Sequence, residues 1–275
     1  MPIDKDYKKL AVKALQAPVT EGPRGHPVRE VGPTTLQFIT PPLPSARRAS
    51  VSIAQQELAW MIGGCAREGR SAQVTPDVEN IWSPWDKAGY GLGPVYGVQW
   101  DSWRYVDDEH GPDSLNQLDL LISGLKADPM SRRHVLTMWQ PGELDQMALP
   151  PCPMMHVFSM FQGRLWLSVF ARSTDIVCGL PVDLLEAYML NRMVCAATGL
   201  RPGGVMFTSA NMHLYHGHEQ IMELYLDPPG FDADPQLVCL KQQELKRAGD
   251  LSPVDGRDWK AIDYRAPIVH AEVLV

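Results

Sequence analysis

Residues 181–198 constrain the fold more than any other stretch of the chain. Leu184, Leu185, Ala187, Tyr188, Leu190, Met193 and Val194 leave little polar face on a helix of that length. A helix that is apolar almost all round has to be buried on every side, so other elements must be layered around it. Pro181 suits a first helical turn, and Gly199 suits the left-handed residue that stops a helix. Ahead of it, residues 155–161 and 165–171 read as strands joined at Gln162-Gly163, a hairpin. Residues 134–139 and 205–209 are two further predicted strands.

The first half adds helices at 7–16, 50–62 and 113–126. The second of these can be capped by Ser50 or Ser52 and ends at Gly63-Gly64. Seven prolines fall between Pro18 and Pro44, so residues 17–49 read as loop, with a short strand at 34–39. Trp82, Trp85, Tyr90, Tyr96 and Trp100, interleaved with glycines, are expected to form a dense aromatic wall. No repeat, low-complexity block or linker divides the 275 residues. The expected fold is a single α+β domain, a mixed β-sheet covered by helices.

Net charge is -7, which argues against a general nucleic-acid binder. No apolar run approaches 18 residues, and the N-terminal residues carry no apolar leader core, so neither a membrane span nor a signal peptide is expected. Five cysteines, odd in number and scattered without a CxxC pair, point to a reduced, cytoplasmic protein without a disulfide framework.

Cys152 is the first candidate for chemistry. Pro150, Pro151 and Pro153 fix the backbone on both sides of its thiol, as a held nucleophile requires. A buried structural cysteine is the alternative. A thiolate needs a positive neighbour, and Arg172-Ser173, on a strand paired with the one after the cysteine, can supply it. Arg132-Arg133 is either solvated surface or, beside Arg172 and Ser173, part of a phosphate clamp. With no P-loop and no GxGxxG, side chains would hold that phosphate, which suits a nucleoside monophosphate. His213, His216 and His218 lie close in sequence, but their spacing fits no common catalytic zinc motif, so no metal is expected. A histidine and Tyr215 hydrogen-bonding a polar ligand is the favoured reading.

These pieces, in their order, resemble the thymidylate synthase family. The resemblance is carried by Gln56-Glu57-Leu58-x-Trp60, Ile81-Trp82-x-x-Trp85, Leu92-Gly93-Pro94-Val95-Tyr96-Gly97-x-Gln99-Trp100 and Ser131-Arg132-Arg133. It continues through Gly142-Glu143-Leu144-Asp145-x-Met147-Ala148-Leu149-x-Pro151-Cys152, Arg172-Ser173-x-Asp175 and Gly179-x-Pro181. It closes with Thr198-Gly199-Leu200-x-Pro202-Gly203 and His213-x-Tyr215-x-x-His218. The resemblance implies a sheet-to-sheet homodimer that transfers one carbon from 5,10-methylenetetrahydrofolate to C5 of a pyrimidine nucleotide 5'-monophosphate.

By the same resemblance, Cys152 is the nucleophile that adds to C6, Glu57 the acid/base carboxylate and Tyr96 the helper in removing the C5 proton. Arg172 and Ser173 bind the phosphate, with Arg24 completing the clamp and Arg29 the alternative. Arg132 and Arg133 reach into the partner subunit's site. His213 and Tyr215 hold the ribose. Trp82, Trp85, Asp175, Gly179 and Tyr264 fall on the folate side, Asp175 serving the nucleotide as well.

Three departures bear on the substrate. Asp183 stands where the family has a uracil-reading asparagine, Pro153 where it has a histidine, and Ala171 where it has a glutamine. Uracil offers an N3–H donor and an O4 acceptor; cytosine reverses both. A carboxyl group fits the reversed pair by sharing a proton with N3 and accepting from the amino group. The alternative is that Asp183 is only an acid favoured in the first turn of its helix. The chain therefore leans toward the deoxycytidylate hydroxymethylase branch, with dCMP as substrate. Its C-terminal tail keeps Tyr264 and the usual length but loses the family's Pro-His-Pro pattern, which leans to hydroxymethyl over methyl. A thymidylate synthase on dUMP, a CMP hydroxymethylase, a retired nucleotide-binding paralogue and a zinc deaminase are the rivals; the last lacks its His/Cys-x-Glu and Pro-Cys-x-x-Cys signature.

Overall fold

The computed structural model describes residues 3–65, 69–86, 89–231, 234–248, 251 and 258–271. In chain order, helix α1 (Asp4–Gln16) leads into a two-residue strand β1 (Val19–Thr20) and the long β2 (Val28–Phe38). Then come α2 (Val51–Ile62), α3 (Glu79–Trp82), α4 (Gly97–Asp101), β3 (Trp103–Asp107), β4 (Gly111–Leu115), α5 (Gln117–Ala127) and β5 (Val135–Thr137). The strands β6 (Pro153–Phe161), β7 (Arg164–Ala171) and β8 (Thr174–Asp175) precede helix α6 (Gly179–Thr198). The chain continues through β9 (Pro202–Tyr215), α7 (Glu219–Glu223), β10 (Gln236–Cys239), α8 (Gln242–Ala248) and β11 (Trp259–Ile262).

Helix α6 is the centre that its composition demands. Fifteen of its 20 residues are buried, and it packs against α2, α5, α8, β7 and β9. Gly199 ends it with φ 76°, a conformation that costs a side-chain-bearing residue more. Beside it lies a seven-stranded mixed sheet in the order β1-β2-β9-β7-β6-β5, with β8 also paired to β9. β7 and β9 run parallel, which requires a long crossover, and α6 is that crossover. The hairpin of β6 and β7 turns at Gln162 and Gly163, both with positive φ, as a tight primed turn needs. Ser50 caps α2 by accepting from the Ile53 N–H at 3.2 Å. The fold is the expected mixed α+β arrangement, and among the described residues no helix is long and apolar enough to cross a membrane.

Several expectations need correction. The strand in the proline-rich stretch is longer than the expected 34–39: β2 covers 11 residues, Val28–Phe38, and pairs antiparallel with β9. Pro33 survives in that strand because the ladder shifts register between Gly32 and Thr34, where no N–H is required. The helix expected at 113–126 begins only at Gln117, where Asn116 caps it by accepting from the Asp119 N–H at 2.9 Å. Residues 111–115 instead pair with β3. The strand at 134–139 shrinks to three residues, and that at 205–209 grows to fourteen. Tyr90 is 86% exposed and takes no part in the aromatic wall.

Candidate active site

A cavity of about 460 Å³ opens between α2, the Trp82–Trp85 segment, the Cys152 loop, the start of α6 and the end of β9. Arg24, Glu57, Trp82, Trp85, Tyr96, Cys152, Arg172, Ser173, Asp175, Gly179, Asp183, His213 and Tyr215 all line it. These are nearly all the candidate residues, drawn from segments up to 191 positions apart.

Cys152 lies between β6 and the turn before it. Its N–H donates to the Tyr96 hydroxyl at 3.4 Å. Arg172 braces the same loop: its Nε donates to the Pro151 carbonyl at 3.0 Å and its Nη2 to the Pro150 carbonyl at 2.7 Å. Nη2 also stands 3.6 Å from Cys152 Sγ. Burial is the largest influence on the thiol and pushes its pKa up. Arg172 and Arg24 pull it down, while Asp183 and Asp175 push it up. Without a ligand the thiol form therefore prevails, and the arginine supplies only part of the stabilisation a thiolate needs.

Tyr96 holds a φ of 40°, unusual for a residue with a side chain. The next residue, Gly97, packs so closely on the Met61 carbonyl that a Cβ there would clash. The close approach of α2 and α4 thus sets the tyrosine in place, and the Trp82 and Tyr96 rings meet edge to face at 5.3 Å. Trp82 also donates through Nε1 to Glu57 Oε1 at 2.9 Å. Burial raises the Glu57 carboxyl to about 7, against the opposing pull of hydrogen bonds from Trp82 and Glu186. Such a group changes charge near neutral pH, as an acid/base residue must.

Asp183 is the fifth residue of α6, past its first turn, and its carboxyl lines the cavity. The reading of a plain first-turn acid does not describe that placement. Burial first, and then the charges of Glu57 and Asp175, push its pKa well above the carboxylate range. A neutral carboxylic acid offers one donor and one acceptor side by side.

Arg24 sits in a left-handed turn with φ 57°. Its Nη2 donates to the Tyr215 hydroxyl at 3.3 Å, and its guanidinium stacks 5.2 Å from the Trp85 ring centre. Arg29 is engaged elsewhere, with Glu219 at 3.2 Å, and does not line the cavity. His213 packs edge-on against Tyr215 at 5.0 Å and pairs with Asn211 through Nδ1 at 3.2 Å.

Arg132 and Arg133 are exposed and line no part of this chain's own cavity, so they make no clamp with Arg172 and Ser173 inside one subunit. Tyr264 does not line it either. Its buried hydroxyl accepts from the Ala49 N–H at 2.6 Å and fixes the rim segment 44–49 from behind. The three clustered histidines diverge: His216 pairs with Glu219 at 2.8 Å, and His218 is buried beside Asp175 and Cys178, ligand-type atoms all within 4.8 Å. No sequence spacing marks that last grouping. Arg47 went unremarked as a site residue, yet it lines the cavity and donates to the carbonyls of Val177 at 2.6 Å and Val269 at 2.8 Å. It ties the C-terminal segment to the cavity rim, and Ala271 joins the lining. The final tail residues 272–275 lie outside the described residues.

A thiol braced by an arginine, facing two buried carboxyls and walled by indoles, defines an enzyme site for a flat anionic ligand. Residues 31–274 match the family model for thymidylate synthase, and the chain belongs to that family. Its members are methyltransferases that use methylenetetrahydrofolate as co-substrate, act at C5 of a pyrimidine nucleotide and usually form homodimers.

Proposed function

We propose that the chain converts dCMP to 5-hydroxymethyl-dCMP. The observation that carries this reading is the Asp183 carboxyl, which lines the same cavity as Cys152 and stands where the family has an amide. As a neutral acid, Asp183 donates its O–H to N3 of cytosine and accepts from the 4-amino group. Uracil fits only if the carboxyl proton sits on the other oxygen; with Asp183 ionised, its oxygen faces the O4 acceptor unpaired, and each unpaired buried group costs ~1–3 kcal/mol. The hydrogen bond to N3 also draws electrons from C6. Cys152 gives its proton to water in the cavity as Sγ bonds to C6, and N3 takes up a proton from Asp183, so C5 gains the electron density to attack. Methylenetetrahydrofolate supplies the one-carbon unit. Glu57 and Tyr96 serve removal of the C5 proton, tetrahydrofolate is released, water supplies the hydroxyl of the product, and Sγ leaves C6 as the ring is restored and N3 returns its proton to Asp183.

Arg24, Arg172 and Ser173 hold the 5'-phosphate, and His213 and Tyr215 the ribose, favouring deoxyribose. Arg132 and Arg133, exposed and outside their own chain's cavity, complete the partner subunit's clamp in a homodimer. Trp82, Trp85, Asp175 and Gly179 form the folate side, and Tyr264 supports it from behind the rim. The hydroxymethyl product follows from the altered tail, which shields the site from water less well. A methyl product on dCMP is the second reading, because Arg47 holds residues up to 271 at the cavity.

The test is tritium release from dCMP and dUMP labelled at C5, in competition and with methylenetetrahydrofolate present. Faster release from dCMP is expected; faster release from dUMP overturns the cytosine reading. Mass spectrometry of the product then decides the group transferred: hydroxymethyl-dCMP with tetrahydrofolate is expected, and methyl-dCMP with dihydrofolate contradicts it.

A further inference from the structure

Behind Glu57, Tyr96 and Asp183 lies a second, enclosed space of about 40 Å³, and these three side chains line both spaces. Its deeper wall carries Glu186, His156 and Trp100. Each of those residues holds a buried polar atom that no described protein group satisfies: Glu186 Oε1, His156 Nδ1 and Trp100 Nε1. The space is large enough for a water, and such orphaned atoms are what an internal water bridges.

Glu186 follows Asp183 by three residues on α6, so the two share a helix face. Its side chain is within hydrogen-bonding reach of Glu57 on α2. The groups that face it are Glu57 from α2, Tyr96 from the start of α4, His156 from β6 and Asp183 from its own helix. None is a cation, since burial lowers His156 to about 4 and keeps it neutral. Three carboxyls therefore meet in one low-dielectric region without a lysine or arginine on its wall. They cannot all ionise there.

We infer that Glu186 is a positioning residue that stays protonated, donates its O–H to Glu57, and so fixes the carboxylate form of Glu57 while Asp183 remains neutral toward the base. This rests on the reading of Glu57 and Asp183 as the acid/base and base-reading groups. The electrostatics agree. Burial and the charges of Glu57 and Asp183 push Glu186 well above the carboxylate range, and its hydrogen bond pulls Glu57 down against burial. No N–H or hydroxyl among the described residues reaches Glu186 Oε1, so a shared proton or a water is what remains to satisfy that carboxyl.

Carbon-13 NMR titration of glutamate side-chain carboxyls in the ligand-free protein tests this, with Glu57→Gln and Glu186→Gln assigning the two resonances. In the wild type, Glu57 should titrate near pH 7 while Glu186 keeps its protonated shift. In Glu186→Leu, which removes the donor, the Glu57 midpoint should rise by about one pH unit or more. In Glu186→Gln, whose amide keeps a donor, it should stay close to wild type. An unchanged midpoint in the leucine variant, or an equal rise in both, overturns the inference. Ionisation of Glu186 ahead of Glu57 in the wild type overturns it without any variant. Because no substrate is present, this result is independent of whether dCMP or dUMP is processed.

Discussion

Two adjoining regions of the molecule handle charge in opposite ways. Around Arg24, Arg172, Ser173, His213 and Tyr215, the guanidiniums carry fixed positive charge: Arg24 donates to Tyr215 and lies over Trp85, and Arg172 donates to two carbonyls beside Cys152. Around Glu57, Asp183 and Glu186, three ionisable acids share a space that favours their neutral forms. The first region suits a ligand that brings its own charge, as a phosphate does. The second suits a ligand that exchanges protons, as a heterocyclic base does. Cys152 stands between them, drawn toward the thiolate by Arg172 and away from it by Asp183. On the proposed function, affinity and chemistry fall to separate groups, so each should be open to disturbance without the other.

The largest disturbance is at the boundary. Cys152→Ala should abolish C5 tritium release while leaving nucleotide binding, measured by calorimetry, within a few-fold of wild type. Loss of binding to the same extent would show that the two regions are not separable.

In the basic region, Arg24→Ala should raise KM for the nucleotide by roughly 10- to 100-fold, the worth of a charged hydrogen bond, with a smaller change in kcat. Steady-state kinetics check this, and a drop confined to kcat would place Arg24 with the chemistry instead.

The smallest effect belongs to the acidic region. Glu57 is raised to about 7, so it is protonated below that pH and ionised above it, and the pH profile of kcat/KM should break there. Trp82 donates to the charged form. Trp82→Phe removes that donor and should move the break upward by about half a unit to one unit. A downward move contradicts the account.

Sequence patterning made much of this legible. The apolar girth of α6, the turn at Gln162-Gly163 and the prolines around Cys152 each act locally, and each appears where its chemistry demands. What stayed hidden depends on partners distant in the chain. Pro33 reads as a strand breaker until its place opposite a register shift in β9 is known. Tyr90 looks like a wall residue, yet its side chain is exposed. Glu186 is one of two acids in an apolar helix, and its significance rests on Glu57, 129 positions earlier, reaching the same spot. Arg47 gives no sign in sequence of holding the C-terminal segment. The adjacent pair Arg132-Arg133 looks ready to join Arg172 in sequence, yet both are exposed and line no part of their own chain's cavity.

The central claim is that the carboxyl at position 183 selects the base to which Cys152 bonds. The most direct measurement is the ratio of C5 tritium release from dCMP and dUMP in the wild type and in Asp183→Asn. The account predicts that dCMP leads in the wild type and that the asparagine variant shifts the ratio toward dUMP by roughly a hundredfold or more. A wild-type preference for dUMP, or the same ratio in both proteins, would contradict it.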